Sequence, residues 1–258
     1  MTDGRIACFF AAQGGKGNTK SVGVAFSTKG ILGPYVDSGR PLVHNTSIPG
    51  DIDPTYFRDA DDRQYLIWKL DGDEVQPWHA KIDFIMLAEL SNTSDALVGK
   101  TITLLANDLA WEGPTIEAPW LVANAGFYYL FYRSDNKRGR LLAIGLSCSA
   151  ICCSGARYNT AGYAVGVARA TSVRGPYVKQ ADPVLRTGRT PWAGPGHCSV
   201  VVDPTHGNAS VIVYHAWPAS SIGSGPRMML MDKLTWDAPQ GWPQVATGSP
   251  SASPQPVP

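Results

Sequence analysis

The 258-residue chain carries 22 Lys and Arg against 21 Asp and Glu, a net charge of +1, with 44% hydrophobic and 17% charged residues, 27 Gly and 20 Pro. So even a balance gives no basic footprint for nucleic acid or an acidic membrane surface, both of which need clustered Lys and Arg. The apolar content supports a buried core, and Gly and Pro spread along the chain announce many turns. No stretch approaches the roughly 18 consecutive apolar residues of a membrane helix. In chain order, short runs rich in Val, Ile, Tyr and Phe read as strands: Ile6 to Ala12, Val22 to Ser27, Tyr65 to Leu70, Ile82 to Leu90, Phe127 to Tyr132, Tyr163 to Ala168, Ser199 to Val202, Val211 to Ala216 and Met228 to Met231. Short strands punctuated by Gly and Pro predict an all-β sandwich, barrel or propeller.

Internal repeats favour the propeller. Val22-Gly23-Val24-Ala25 leads to Gly33-Pro34-Tyr35-Val36, and Val165-Gly166-Val167-Ala168 leads to Gly175-Pro176-Tyr177-Val178. A polar turn followed by an aromatic strand recurs at Asp3, Asp61, Asn124 and His206, spacings of 58, 63 and 82 residues. These fit four propeller blades with long loops. From Ala246 the Ser/Pro-rich sequence lacks the apolar area to offset ordering entropy. The expected division is a propeller domain over 1–245 and a disordered tail or linker over 246–258.

Two segments set an acid against proline in apolar surroundings: Ile52-Asp53-Pro54-Thr55-Tyr56-Phe57 and Ile116-Glu117-Ala118-Pro119-Trp120-Leu121. Proline fixes its own backbone angle and biases the preceding residue toward extended conformations, which would give each acid a defined direction. Glu112, in Glu112-Gly113-Pro114, competes with Glu117, and spacing alone does not choose between them. Five cysteines, Cys8, Cys148, Cys152, Cys153 and Cys198, are an odd number and lack the paired spacing of a structural zinc site. Gly14-Gly15-Lys16-Gly17 lacks the spacing of a phosphate-binding loop. Sequons at Asn45, Asn92 and Asn208 suit a secreted protein, although Met1 to Arg5 carries no signal-peptide pattern.

Six segments in order resemble the five-bladed β-propeller glycoside hydrolases of family 43, which include arabinanases, α-L-arabinofuranosidases and β-xylosidases. They are Ile52-Asp53-Pro54 with Tyr65 to Trp68; Glu117 to Leu121 with Tyr128 to Tyr132; Val165 to Arg169 with Gly175-Pro176-Tyr177; Gly194-Pro195-Gly196-His197; Tyr214-His215-Ala216; and Gly241-Trp242-Pro243. The resemblance implies inverting hydrolysis of arabinose- or xylose-containing plant polysaccharide. It puts the general acid on Glu117, the aspartate that tunes and orients that acid on Asp53, and a substrate-facing arginine on Arg227. Glu112 becomes a loop residue whose change to Gln should leave activity largely intact. Trp120, Phe57 and Trp192 are aromatic platforms for the sugar ring. His197 matches a histidine on the propeller axis, where many members hold calcium or a water cluster; since calcium prefers oxygen, His197 would reach it through water. No cofactor is required.

The run Cys152-Cys153-Ser154-Gly155 resembles endo-arabinanases and tilts the substrate toward arabinan. No residue matches the family's general base, an aspartate of the first blade; the chain begins inside what resembles the second blade. The expectation is four of five blades and hydrolysis at or near background by these 258 residues, with a non-catalytic carbohydrate-binding propeller as the alternative.

Overall fold

A computed structural model describes residues 4–13, 20–44, 50–71, 83–135, 161–203, 209–237 and 241–254. Asp3, the Gly14 to Gly17 run, Cys148, Cys152, Cys153, Asn45, Asn208 and the predicted strand start at Ile82 lie outside them. The described residues contain sixteen β-strands and no α-helix, so none is long and apolar enough to cross a membrane. The strands are β1 (Ile6–Gln13), β2 (Lys20–Ser27), β3 (Val36–Asp37), β4 (Asp51–Arg58), β5 (Gln64–Leu70), β6 (Phe84–Leu90), β7 (Leu97–Ala106) and β8 (Ile116–Asn124). They continue with β9 (Phe127–Asp135), β10 (Tyr163–Ala170), β11 (Val178–Lys179), β12 (Leu185–Arg186), β13 (Trp192–Asp203), β14 (Ala209–Pro218), β15 (Met228–Trp236) and β16 (Pro243–Val245).

These make four sheets, ordered β1-β2-β3, β4-β5-β6-β7, β11-β10-β9-β8 with β12 on β10, and β13-β14-β15-β16. Sequential antiparallel meanders of about four strands are the pattern of propeller blades. The chain divides into two compact units, one of 1–107, 115–130 and 169–178, the other of 108–114, 131–168 and 179–258.

In the first unit, β5 is buried along almost its whole length rather than on alternate residues, as befits a central strand covered on both faces. Leu66 and Trp68 pack with Val22, Ala88 and Leu90 in one cluster, and Phe9, Leu42, Val43, Met86 and Leu97 close around it. The Trp68 indole donates to Asp51 Oδ1 at 2.9 Å, so the largest side chain of this cluster is also satisfied. The repeated Gly-Pro-Tyr-Val motifs share a local fold. Tyr35 donates its hydroxyl to Ile31 O at 2.8 Å and Tyr177 to Val173 O at 3.1 Å, each four residues back.

In the second unit, Phe131, Tyr132, Val165, Val167, Leu185, Ile212 and Tyr214 are buried, and Tyr214 donates to Asp232. Residues 246–254 have too few apolar groups to build a core of their own and attach to this one. Arg186 N donates to Gly248 O at 2.9 Å, Ser251 N donates to Asp232 Oδ2 at 3.2 Å, and Pro250 is buried. Cys198 is a free, buried thiol, pushed up to about 12 by burial; Cys8 is free and exposed.

Burial raises the Tyr132, Tyr177 and Tyr214 phenols, and burial together with the Asp59 carboxylate pushes Tyr128 up to about 12. An unfolded tyrosine titrates near 10, so both states keep the proton below that pH and stability is full there. As pH rises through about 10 the unfolded chain releases protons that the folded chain retains, and stability falls. Thermal unfolding at pH 8, 10 and 11 should therefore show a progressive drop above pH 10; a flat profile over that range would contradict it.

Candidate functional site

The site grows from irregularities in the first unit's strands. The pairing of β4 with β5 shifts register between Ile52 and Thr55, and inside that bulge Asp53 takes φ 52°. On β8, Ala118 takes the same φ of 52°. Each of these residues precedes a proline, which led the sequence to predict an extended conformation for Asp53. The bulge overrides that bias: a left-handed residue re-aims the side chain where a regular strand would send it elsewhere. Segment 52–57 lies in β4, bulged near its start, and segment 116–121 lies in β8.

The two strands meet. The Asp53 carboxylate accepts a 3.0 Å hydrogen bond through Oδ2 from the backbone N–H of Ala118, the residue after Glu117. The aspartate therefore clamps the backbone that carries the glutamate, joining two of the predicted site residues. Glu117 is 13% exposed, and its Oε2 lies 3.5 Å from the ammonium of Lys69 on β5. Lys69 itself is 1% exposed and sits 3.1 Å from Asp71 Oδ1 and 3.2 Å from Asp83 Oδ2. Asp71 takes a second cation, Lys20, at 3.2 Å. A buried lysine costs several kcal/mol in desolvation unless carboxylates surround it, and here they do.

Phe57 is half-buried and meets Tyr128 edge-on with ring centroids 5.9 Å apart, while the Tyr128 hydroxyl donates to both Asp59 oxygens at 2.8 and 2.9 Å. Trp120 is half-buried on β8.

Three other nominated residues lie in the second unit. Glu112 is fully buried, unlike the exposed side chain a loop glutamate would have. Its Oε2 accepts from Asp108 N at 2.8 Å, Leu109 N at 2.9 Å and Lys179 Nζ at 2.9 Å, and its Oε1 accepts from the Tyr132 hydroxyl at 2.6 Å. Both Glu112 oxygens are thus engaged in holding the 108–112 turn.

Arg227 is exposed and donates to His215 Nε2 at 3.2 Å, and Arg133 Nη1 approaches the same nitrogen at 3.3 Å. Arginine has no acceptor, so Nε2 accepts both and the His215 ring carries its proton on Nδ1. The Arg133 guanidinium also lies 4.2 Å over the Tyr163 ring. A Cβ at Gly196 would overlap Arg133 Cδ, so glycine there is what lets the arginine pass.

His197 is exposed, with φ 48°, where β13 shifts register against β14 between Gly196 and Ser199. It presents nitrogen rather than the oxygen that calcium takes. Among the described residues no group of three or more His, Cys, Asp or Glu side chains is placed to hold a metal. These residues do not by themselves fit a calcium site.

Sequence reasoning missed Lys69, Arg133 and His215. The available signal for Lys69 was a lone cation inside the apolar run Tyr65 to Leu70. Arg133 and His215 stand 82 residues apart, and only the fold pairs them.

With this geometry in place, similarity to known proteins can be weighed. The extracellular endo-α-(1→5)-L-arabinanase 1 of Bacillus subtilis strain 168 is 26% identical over 254 residues, which is 93% of this chain and 65% of that protein. The chain thus spans less than two thirds of that curated relative's length. The crystal structure of a thermostable family-43 glycoside hydrolase superposes with a TM-score of 0.79 at 25% identity, covering 98% of this chain and 74% of the other. The Bacillus licheniformis family 43 endo-arabinanase gives 0.63 at 25% identity, covering 94% and 73%. The fold class is that family's β-propeller, with four blade sheets among the described residues. The model of the glycosyl hydrolases family 43 matches residues 2–243, and the chain belongs to that family.

Proposed function

We propose that this protein is a glycoside hydrolase acting on arabinose- or xylose-containing plant polysaccharides, arabinan before arabinoxylan or xylan, by an inverting acid/base mechanism. The observation that carries the reading is the clamp between Asp53 and the backbone N–H of Ala118, the residue after Glu117, inside a family 43 chain. Glu117 is the general acid that protonates the leaving oxygen. Asp53 orients it and adds a neighbouring negative charge that favours its protonated form. Inversion further needs a base that activates water from the opposite face, its carboxyl about 6.5 to 9.5 Å from that of the acid. In the first unit the aromatic side chains Trp120 and Phe57 are platforms for the sugar, and in the second Arg227, held by His215, and His197 are substrate-binding residues. The name of the Bacillus subtilis relative supports arabinan as substrate and an extracellular location.

A second reading is a carbohydrate-binding propeller without hydrolysis, which follows from the sequence expectation that these residues hold no match to the family's general base. Turnover of debranched arabinan and aryl arabinofuranosides, with and without azide, separates the two. Azide is already an anion and attacks without a base. A hydrolase releases sugar in plain buffer. A chain with only the acid half of the machinery turns over aryl glycosides solely with azide, while the binding module retains arabino-oligosaccharides and cleaves neither way. Absence of both binding and turnover would overturn the carbohydrate assignment altogether.

A further inference from the structure

The least expected group beside Glu117 is Lys69. A lysine at the middle of a blade, 1% exposed, is rare unless its charge is wanted there. An ammonium has three donors and no acceptor, and three carboxylate oxygens surround this one: Asp71 Oδ1, Asp83 Oδ2 and Glu117 Oε2, at 3.1, 3.2 and 3.5 Å. The titratable groups on the neighbouring elements are Asp51 and Asp53 on β4, Lys69 on β5 with Asp71 just beyond it, Asp83 and Glu89 on or before β6, and Lys20 on β2. Asp51 is engaged by Trp68 and Glu89 by Arg174, the latter at 2.7 Å. Lys20 and Lys69 balance Asp71 and Asp83. Glu117 is therefore the carboxyl that this set can hold as a neutral acid without leaving a cation uncompensated.

We propose that Lys69 is a positioning residue for the Glu117 acid. Its ammonium, able only to donate, claims Oε2 as an acceptor and so keeps the transferable proton on Oε1. When that proton leaves for the glycosidic oxygen, the carboxylate that forms already lies beside a fixed positive charge, so no reorganisation is needed at the moment of transfer. The inference rests on the reading of Glu117 as acid, but its test does not require turnover.

The Glu117 carboxyl resonance, assigned by its loss in Glu117→Gln, is followed through a pH titration of 13C-glutamate-labelled protein. Lys69→Met removes a positive neighbour, and the Glu117 midpoint should rise by about 1 to 2 pH units. Asp83→Asn removes a negative neighbour and keeps the shape, and the midpoint should fall. Where Lys69→Met does not fold, Asp83→Asn alone decides. A purely structural lysine would lower the thermal midpoint in both variants without moving the Glu117 titration, and that result would overturn the proposal. Failure of wild-type hydrolysis would count against the enzyme reading and leave this titration as informative as before.

Discussion

Glu117→Gln should lower kcat on arabinan by about 10²- to 10⁴-fold, the usual contribution of general acid catalysis, because an amide has no transferable proton to give a departing sugar oxygen. The variant should fold normally. Glu117 is partly exposed, glutamine has nearly its shape, and the Asp53 clamp reaches the backbone of Ala118 rather than the Glu117 side chain. Lys69 loses one of three carboxylates and keeps Asp71 and Asp83. KM should change little, since the proton is needed in the transition state more than in the bound ground state. Steady-state rates on debranched arabinan, with thermal unfolding measured in parallel, check both halves of this expectation.

Glu112→Ala should do the reverse, damaging stability far more than chemistry. It strands the Lys179 ammonium, 8% exposed, together with the backbone donors of Asp108 and Leu109 and the hydroxyl of Tyr132. Asp108 Oδ1, 2.6 Å from Lys179 Nζ, remains, but its side chain is 70% exposed and offsets only part of the loss. Breaking a buried ion pair from one side costs about 3 to 5 kcal/mol. For a chain of this size that lowers the thermal midpoint by roughly 10 °C. Glu112→Gln should fall between Ala and wild type, one amide oxygen facing four donors. The sequence expectation that this substitution does little is kept for catalysis and replaced for stability. Calorimetry of the three proteins, with rates expressed per folded molecule, tells the two glutamates apart.

Much of this was legible before any coordinates. Tyr65 to Trp68 and Phe127 to Tyr132 announced central strands because β-branched and aromatic residues massed between polar turns, and they are β5 and β9. Asp53 and Glu117 were candidates because each lies within two residues of a proline in apolar sequence, and the family resemblance chose Glu117 over Glu112. What escaped had a physical cause in each case. β7, Leu97–Ala106, mixes Gly99, Lys100 and exposed Val98 into an outer strand whose burial comes mainly near its end, so neither alternation nor a continuous apolar run marks it. The left-handed backbone at Asp53 and His197 accompanies register slips between strands, which no local propensity encodes. Lys69 looked like an interruption in an apolar strand. Its meaning comes from Asp83, brought in by the next strand, and from Glu117 on β8.

The central claim is that Glu117 supplies the proton to the leaving group. The most direct test is the ratio of wild-type to Glu117→Gln turnover on two arabinofuranosides that differ only in leaving group, one a dinitrophenyl glycoside and one a simple alkyl or sugar glycoside. Dinitrophenolate departs without protonation, so the ratio should be near one for that substrate and about 10²- to 10⁴-fold for the other. Equal ratios for both leaving groups, or undiminished cleavage of the poor one by Glu117→Gln, would contradict the assignment.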